Sequence, residues 1–324
     1  MNVKICTIGE LLVEFIAKEP NQRFYETGEF TGPYPSGAPA IFADQVAKLG
    51  VPVVFFSCVG RDVFGKMCID RLKQDGVIID GITIHNKANT GSTFVVNKNI
   101  SEKDFIFNIP NSACGLISFH HINENLLNNC NHLHVMGSSL YSFRAIDAMR
   151  KALDLIKSNG GTISFDPNLH KEMLDIPEMA QSFDYILEYA DIFLLSKCEV
   201  RYFANNNDES EKETILSLFK KGIKHIVIKN GVQGANYYGY DEQNNFKMIH
   251  VDGFFRDIVD SSGATCCFDA TFVSLMLAGF SIEKALEYAN ASGALAAAKK
   301  GPMEGISSLI EIETFISKNT PRSV

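Results

Sequence analysis

The 324-residue chain has no surplus of positive charge. Its 30 Lys and Arg stand against 38 Asp and Glu, a formal net charge of -8. That excludes an extended nucleic-acid groove as its main business, because neutralising many phosphates needs a net basic surface. A local basic pocket stays open. The eight cysteines, at 6, 58, 68, 114, 130, 198, 266 and 267, include no CxxC pair. Several sit in apolar runs such as KICTIG and FFSCVG, so reduced, mostly buried thiols in a cytoplasmic protein are expected. The opening MNVKICTIGELLVEF has only a brief apolar stretch, broken by Glu10 and Glu14. It is neither a secretory signal nor a membrane span. Internal repeats, linkers and low-complexity segments are also missing.

What is present is an alternating rhythm. VKICTIG reads as a buried strand ended by Gly9, and GELLVEF as a second, half-exposed strand. Residues 17–35 are polar, aromatic and turn-rich, so they suit loops and short strands at an edge. SGAPAIFADQVAKLG reads as a helix capped by Gly50, VPVVFFSCVG as a strand, and FGKMCIDRLKQDG as a helix ending at Gly76. GSTFVVNKNISEKDFIFN, at 91–108, alternates around a turn and predicts a hairpin. HLHVMGSSL, GTISFDPN, ADIFLLSKCEV and KHIVIKNGVQGANYY read as further strands, with AIDAMRKALDLIKSNGG as a helix between the first two. Strand and helix in this order predict a parallel sheet covered on both faces. The segments at about 12–35 and 91–112 pair as a small β lid on one domain spanning 1–324.

In such sheets ligands lie beyond the carboxyl ends of the strands. The chemistry-bearing residues fall there. SFDPNLH offers Asp166 and Asn168, LLSKCE offers Ser196, Lys197 and Glu199, and VIKNGVQG offers Lys229, Gly231 and Gly234. IVDSSGATCC offers Asp260, then Gly263 and Ala264 ahead of a helix. A small-residue turn at a helix N-terminus exposes backbone N–H groups that favour an anion. The stretch is neither a Walker loop nor a dinucleotide fingerprint.

Taken in order, these stretches resemble the ribokinase (PfkB) family of carbohydrate kinases over nearly the whole chain. GELLVEF, PSGAPAIFADQVAKLG, VGRDVFG, NTGSTFVV, IPNSACG, DPN, SKCE, KNGVQG, VDSSGATCCFDATF and ANASGALAAAKKG follow the family's sequence of motifs. The spelling is similar to the 2-keto-3-deoxygluconate kinase, fructokinase and tagatose kinase branch. The resemblance implies a ribokinase-like three-layer α/β/α fold, with a mainly parallel central sheet and a small β-sheet lid. It implies transfer of the ATP γ-phosphate to a sugar hydroxyl, with ATP, magnesium and potassium as cofactors. It assigns the anion hole to Gly263, Ala264, Thr265 and Cys266. It assigns the ATP site to Asn168, Glu199, Lys229, Gly231, Gly234 and Asn290. Glu199 would organise magnesium through water, and Asp260 would sit at a monovalent-cation site. The sugar would lie over Gly37 and Ala38 beside Glu14, under a lid carrying Phe94 and Phe107, with His170 nearby.

The chain departs from the family at its centre. The base Asp of the signature falls on Cys266, and the preceding glycine on Thr265. A thiol at a helix N-terminus can have a lowered pKa, but a thiolate is a poor mimic of a carboxylate. Asp269 is no replacement, because the family has it beside an intact base. Ile41 replaces an Asn, and His170 replaces an Arg that would suit a substrate carboxylate, which favours a neutral sugar over a sugar acid. Three functions follow: a sugar kinase of lowered activity, an inactive sugar- or nucleotide-binding sensor, and a nucleoside or vitamin kinase on the same fold. A homodimer through the exposed lid edge is expected. Plainer readings accompany several residues. His132 and His134 suit ordinary sheet positions, Cys58 and Cys198 suit packing, and Asp62 suits a cap. Lys197 and Lys229 suit strand-end surface positions, with phosphate contact open for Lys229.

Overall fold

The computed structural model describes residues 3–98, 103–169, 177–206 and 208–319, without the side chains of 177–180. Its strands are β1 (Ile5–Ile8), β2 (Leu12–Ala17), β3 (Phe30–Ser36), β4 (Val53–Gly60), β5 (Ile82–His85), β6 (Gly91–Asn97) and β7 (Lys103–Asn108). They continue with β8 (His132–Met136), β9 (Thr162–Asp166), β10 (Ile192–Ser196), β11 (His225–Lys229), β12 (Ala235–Tyr240) and β13 (Phe246–Val251). The helices are α1 (Ala38–Lys48), α2 (Val63–Asp75), α3 (Glu124–Leu127), α4 (Phe143–Ser158), α5 (Pro177–Leu187), α6 (Glu211–Lys220), α7 (Ala264–Leu277), α8 (Ile282–Ala297) and α9 (Leu309–Lys318).

Nine strands form one sheet in the order β13-β12-β11-β10-β9-β8-β1-β4-β5. Every pairing from β11 to β5 is parallel, and β12 and β13 add an antiparallel edge. Parallel strands are buried on both faces, which explains their continuous apolar runs. Successive side chains alternate between the two layers of core. Ile5, Val53 and Phe55 pack with α1 and α7 on one face. Cys6, Val54 and Phe56 pack with α4 on the other. The expected α/β/α layering is therefore present, and α7, mostly apolar and buried from Cys266 to Leu275, lies within it.

The second sheet has the order β3-β2-β6-β7. The hairpin read at 91–108 is β6 paired antiparallel with β7; part of its turn lies outside the described residues. β2 differs from its expected half-exposure, since five of its six residues are buried. Helix α1 ends one residue earlier than expected, on Leu49, with Gly50 left-handed just beyond. Asp62 is the N-cap of α2, accepting from the Gly65 N–H at 2.8 Å.

Helix α1 carries Gly37 and Ala38 to the carboxyl edge of the sheet, and Phe42 anchors it. Phe42 is fully buried and stacks on His134 of β8, ring centroids 3.7 Å apart and planes within 5°. His132 and His134 are sheet residues bonded to Ser164, as the plain reading has it. Phe42→Ala is expected to lower the unfolding free energy by about 3–5 kcal/mol in denaturant titrations. Unchanged stability would show that this stack does not anchor α1.

Candidate active site

Two cavities meet at the first turn of α7. One, of about 460 Å3, lies between the small sheet and the carboxyl ends of the central strands. The other, of about 330 Å3, lies between the β11–β12 turn and α8. Ser261 and Thr265 line both. The turn can be built only with glycine. Gly263 has φ 78°, and a Cβ there would lie 2.2 Å from the Pro302 carbonyl oxygen. The first intrahelical bond runs from the Cys267 N–H to the Gly263 oxygen. The Ala264 N–H is spent on the Ser261 oxygen at 3.3 Å. Helix geometry leaves the amides of Thr265 and Cys266 without intrahelical partners, so they are the donors best placed for an anion.

Cys266 is buried and lines the first cavity. Burial, and then the nearby Asp269 and Asp166 carboxylates, push its thiol well above the ordinary value. The lowering expected from the helix end is thus reversed, and the group stays a neutral thiol near pH 7. Thr265 is exposed and lines both cavities.

The first cavity gathers Gly37, Ala38, Glu14, Phe107 and Asn168. Glu14 is buried, and Ser36 Oγ donates to its Oε2 at 3.0 Å. Burial raises its carboxyl to about 7, partly offset by the Lys103 ammonium. Phe94 does not line the cavity. It faces away on β6, stacked on Phe15 at 5.1 Å and edge-on to Phe30, while its neighbour Thr93 faces in. His170 lies outside the described residues. Glu10, which sequence reasoning passed over, also lines this cavity. Its carboxylate accepts from the Ala38 N–H at 3.2 Å and from Ser139 Oγ at 2.7 Å. Burial raises it, with the Ser139 bond acting against the rise. The adjacency of Gly9 and Glu10 at the end of the first strand was the available signal.

Lys103, Phe105 and Phe107 share one face of β7 and point into the same cavity. Lys103 Nζ lies 2.7 Å from Asp260 Oδ1 and 2.7 Å from Ser262 Oγ. Burial alone would raise the Asp260 carboxyl, but Lys103 and the Ser262 and Gly301 amides outweigh it and hold it low. Lys103 was the other omission; alternation along KDFIF places it on the Phe107 face.

The second cavity is lined by Gly231, Gly234, Asn290 and Lys229. Asn290 donates to the Val251 and Asp252 carbonyls at 3.1 and 3.2 Å, tying α8 to the end of β13. Lys229 is not a surface residue. Its buried ammonium is 2.9 Å from Asp166 Oδ2 and 3.0 Å from both oxygens of Asp269. Desolvation acts against the charge, but Asp166, Asp269 and Glu199 outweigh it and hold the lysine above its ordinary value. Asp166 is held low by Lys229 against its own burial, whereas burial and the neighbouring Asp166 push Asp269 up. One of the two acids is thus the ionised partner.

Asn168 lines the first cavity, not the second. It adopts φ 42°, its N–H donates to Asp166 Oδ1 at 2.9 Å, and its Nδ2 donates to Ser138 Oγ at 3.0 Å. Glu199 lines neither cavity. Its Oε1 accepts from the Leu169 N–H at 2.8 Å and its Oε2 from the Ser196 N–H at 2.7 Å. Burial and Asp166 raise it, against Lys229. Such a carboxylate suits magnesium only through water. Among the described residues no cluster of three acidic, His or Cys side chains is arranged to hold a metal directly. Seven of the eight thiols are buried as expected; Cys198 is exposed, so packing does not account for it. Among the described residues no helix is long and apolar enough to cross a membrane.

Comparison with known proteins identifies the family. The profile of the pfkB family carbohydrate kinases matches residues 2–309. "Probable fructokinase-5" of Arabidopsis thaliana is 31% identical, over 93% of this chain and 94% of its own. "Probable fructokinase-2" of the same plant is 29% identical, over 96% and 95%. A candidate ribokinase II of E. coli, solved with ATP and magnesium, is 47% identical, with a TM-score of 0.90 over 98% of this chain and 99% of that one. The chain therefore belongs to the pfkB family of carbohydrate kinases, phosphotransferases that act on sugars.

Proposed function

We propose that the protein transfers the γ-phosphoryl group of ATP to a hydroxyl of a neutral sugar, at a rate limited by the loss of a carboxylate base. The observation that carries this reading is the meeting of two cavities at the α7 N-terminus, through Ser261 and Thr265. The larger, under the lid, takes the sugar over Gly37 and Ala38. The smaller takes the nucleotide between Gly231, Gly234 and Asn290. The plant relatives are named fructokinases, so fructose heads the panel of sugars. Magnesium bound with ATP would neutralise phosphate charge, and by the resemblance Glu199 would hold it through water, with Asn168 near the phosphates.

In the transfer the sugar oxygen forms a bond to the γ-phosphorus, the bond from that phosphorus to the bridging oxygen of ADP breaks, and the hydroxyl proton passes to solvent water. The amides of Thr265 and Cys266 stabilise the charge on the moving group. Glu14, as a carboxylate, accepts a hydrogen bond from a sugar hydroxyl. Cys266 occupies the place of the proton acceptor and, as a neutral thiol, cannot fill it. That same observation favours the second reading, an inactive sugar- or nucleotide-binding relative. A homodimer through the small sheet, on whose strand β7 Ile106 is exposed, and a cytoplasmic location belong to the proposal as well.

Two outcomes test it. Cys266→Asp is expected to raise turnover of its best sugar by about 100- to 10,000-fold in an ADP-release assay. Equal rates in the two proteins would end the base argument. Glu14 is protonated below about pH 7 and ionised above it. The KM for sugar is therefore expected to fall as pH rises through about 7, and Glu14→Gln to flatten that profile. A KM that is indifferent to pH in both proteins would remove Glu14 from the sugar site.

A further inference from the structure

The resemblance places a monovalent cation at Asp260, and the residues there do not fit one. The Asp260 side chain is 3% exposed, and that of Lys103 11%. Both Asp260 oxygens are already engaged. Oδ1 accepts from Lys103 Nζ at 2.7 Å and from the Ser262 N–H at 3.0 Å. Oδ2 accepts from the Gly301 N–H at 3.0 Å. The ammonium also donates to Ser262 Oγ at 2.7 Å. A second cation at this carboxylate would lie beside an ammonium in a poorly solvated place, where like charges repel strongly.

Lys103 comes from the lid. It opens β7, opposite Asn97 of β6, whereas Asp260 and Ser262 belong to the loop that turns into α7 at Gly263. One ammonium therefore fastens the small sheet to the loop beside the anion hole, and its charge is one residue from Gly263. It also stands within electrostatic reach of Glu14, in the sugar cavity.

We propose that Lys103 is a positioning residue that supplies, from the lid, a positive charge at the phosphate-binding loop in the place of a monovalent cation, so that nucleotide binding and turnover require no monovalent metal ion. The inference rests on the phosphotransfer reading for its functional consequence. The ammonium orders the Asp260–Gly263 loop through Ser262 and leaves the α7 amides aimed at the anion. It also couples lid position to that loop, because the contact breaks if the lid lifts.

The test compares the wild type, Lys103→Met and Lys103→Arg in potassium chloride and in tetramethylammonium chloride at equal ionic strength. ATP–magnesium affinity is read by calorimetry, Tm by thermal melting, and turnover in the Cys266→Asp background. The wild type and Lys103→Arg are expected to be indifferent to potassium in all three. Lys103→Met is expected to lose about tenfold in ATP affinity without potassium, and to recover affinity and Tm when potassium or ammonium is added. An increase of about tenfold in wild-type affinity on adding potassium would overturn the proposal. So would a Lys103→Met protein that matches the wild type in both salts. If no variant binds ATP, the phosphotransfer reading fails on its own, and the melting arm still decides whether potassium replaces the ammonium.

Discussion

The site depends on one buried ammonium. Lys229 ends β11 and points under the carboxyl edge of the sheet, between Asp166 at the end of β9 and Asp269 on α7. A charge taken out of water at such a place is tolerated only when it is paired and hydrogen-bonded. Here the pairing joins two strands and a helix. Through Asp166 it sets Asn168 two residues on, and Glu199 then holds Leu169. Through Asp269 it sets the roll of α7, and with it Cys266 three residues earlier, on roughly the same face. The two cavities meet where they do because these strand ends and this helix are fastened to one another.

Cys266 shows how strongly context governs a side chain. Its helix-terminal position favours a thiolate, yet burial near Asp166 and Asp269 favours the thiol. Both carboxylates belong to the network that builds the site. The arrangement that positions the residue therefore also denies it the ionised form. A carboxylate at the same position would meet the same two acids, and a raised pKa is what suits a base working near neutrality.

Much of the fold was legible in the sequence. Continuous apolar runs such as VPVVFFSCVG and ADIFLLS could only be buried parallel strands, and the motifs after them mark the carboxyl edge. The turns at Gly263 and Gly76 were legible for the same reason: left-handed backbone selects glycine. The lid was less so. Both faces of β6 are apolar or weakly polar, so alternation alone did not say that Thr93 faces the cavity and Phe94 the outer aromatic cluster. Lys103, Glu10 and the pairing of Lys229 were missed because each depends on residues more than a hundred positions away or on another strand. Lys103 meets Asp260, Glu10 meets Ser139, and Lys229 meets Asp166. Charge in a strand-end segment reads as surface until its partner is known.

The central claim is that the Lys229 network holds the strand ends and α7 in register at the site. The most direct measurement is the unfolding free energy of Lys229→Met, obtained from denaturant titration beside the wild type. The account predicts a loss of about 3–5 kcal/mol, because buried carboxylates lose their counter-charge. A loss below about 1 kcal/mol, the scale of an exposed ion pair, would contradict it.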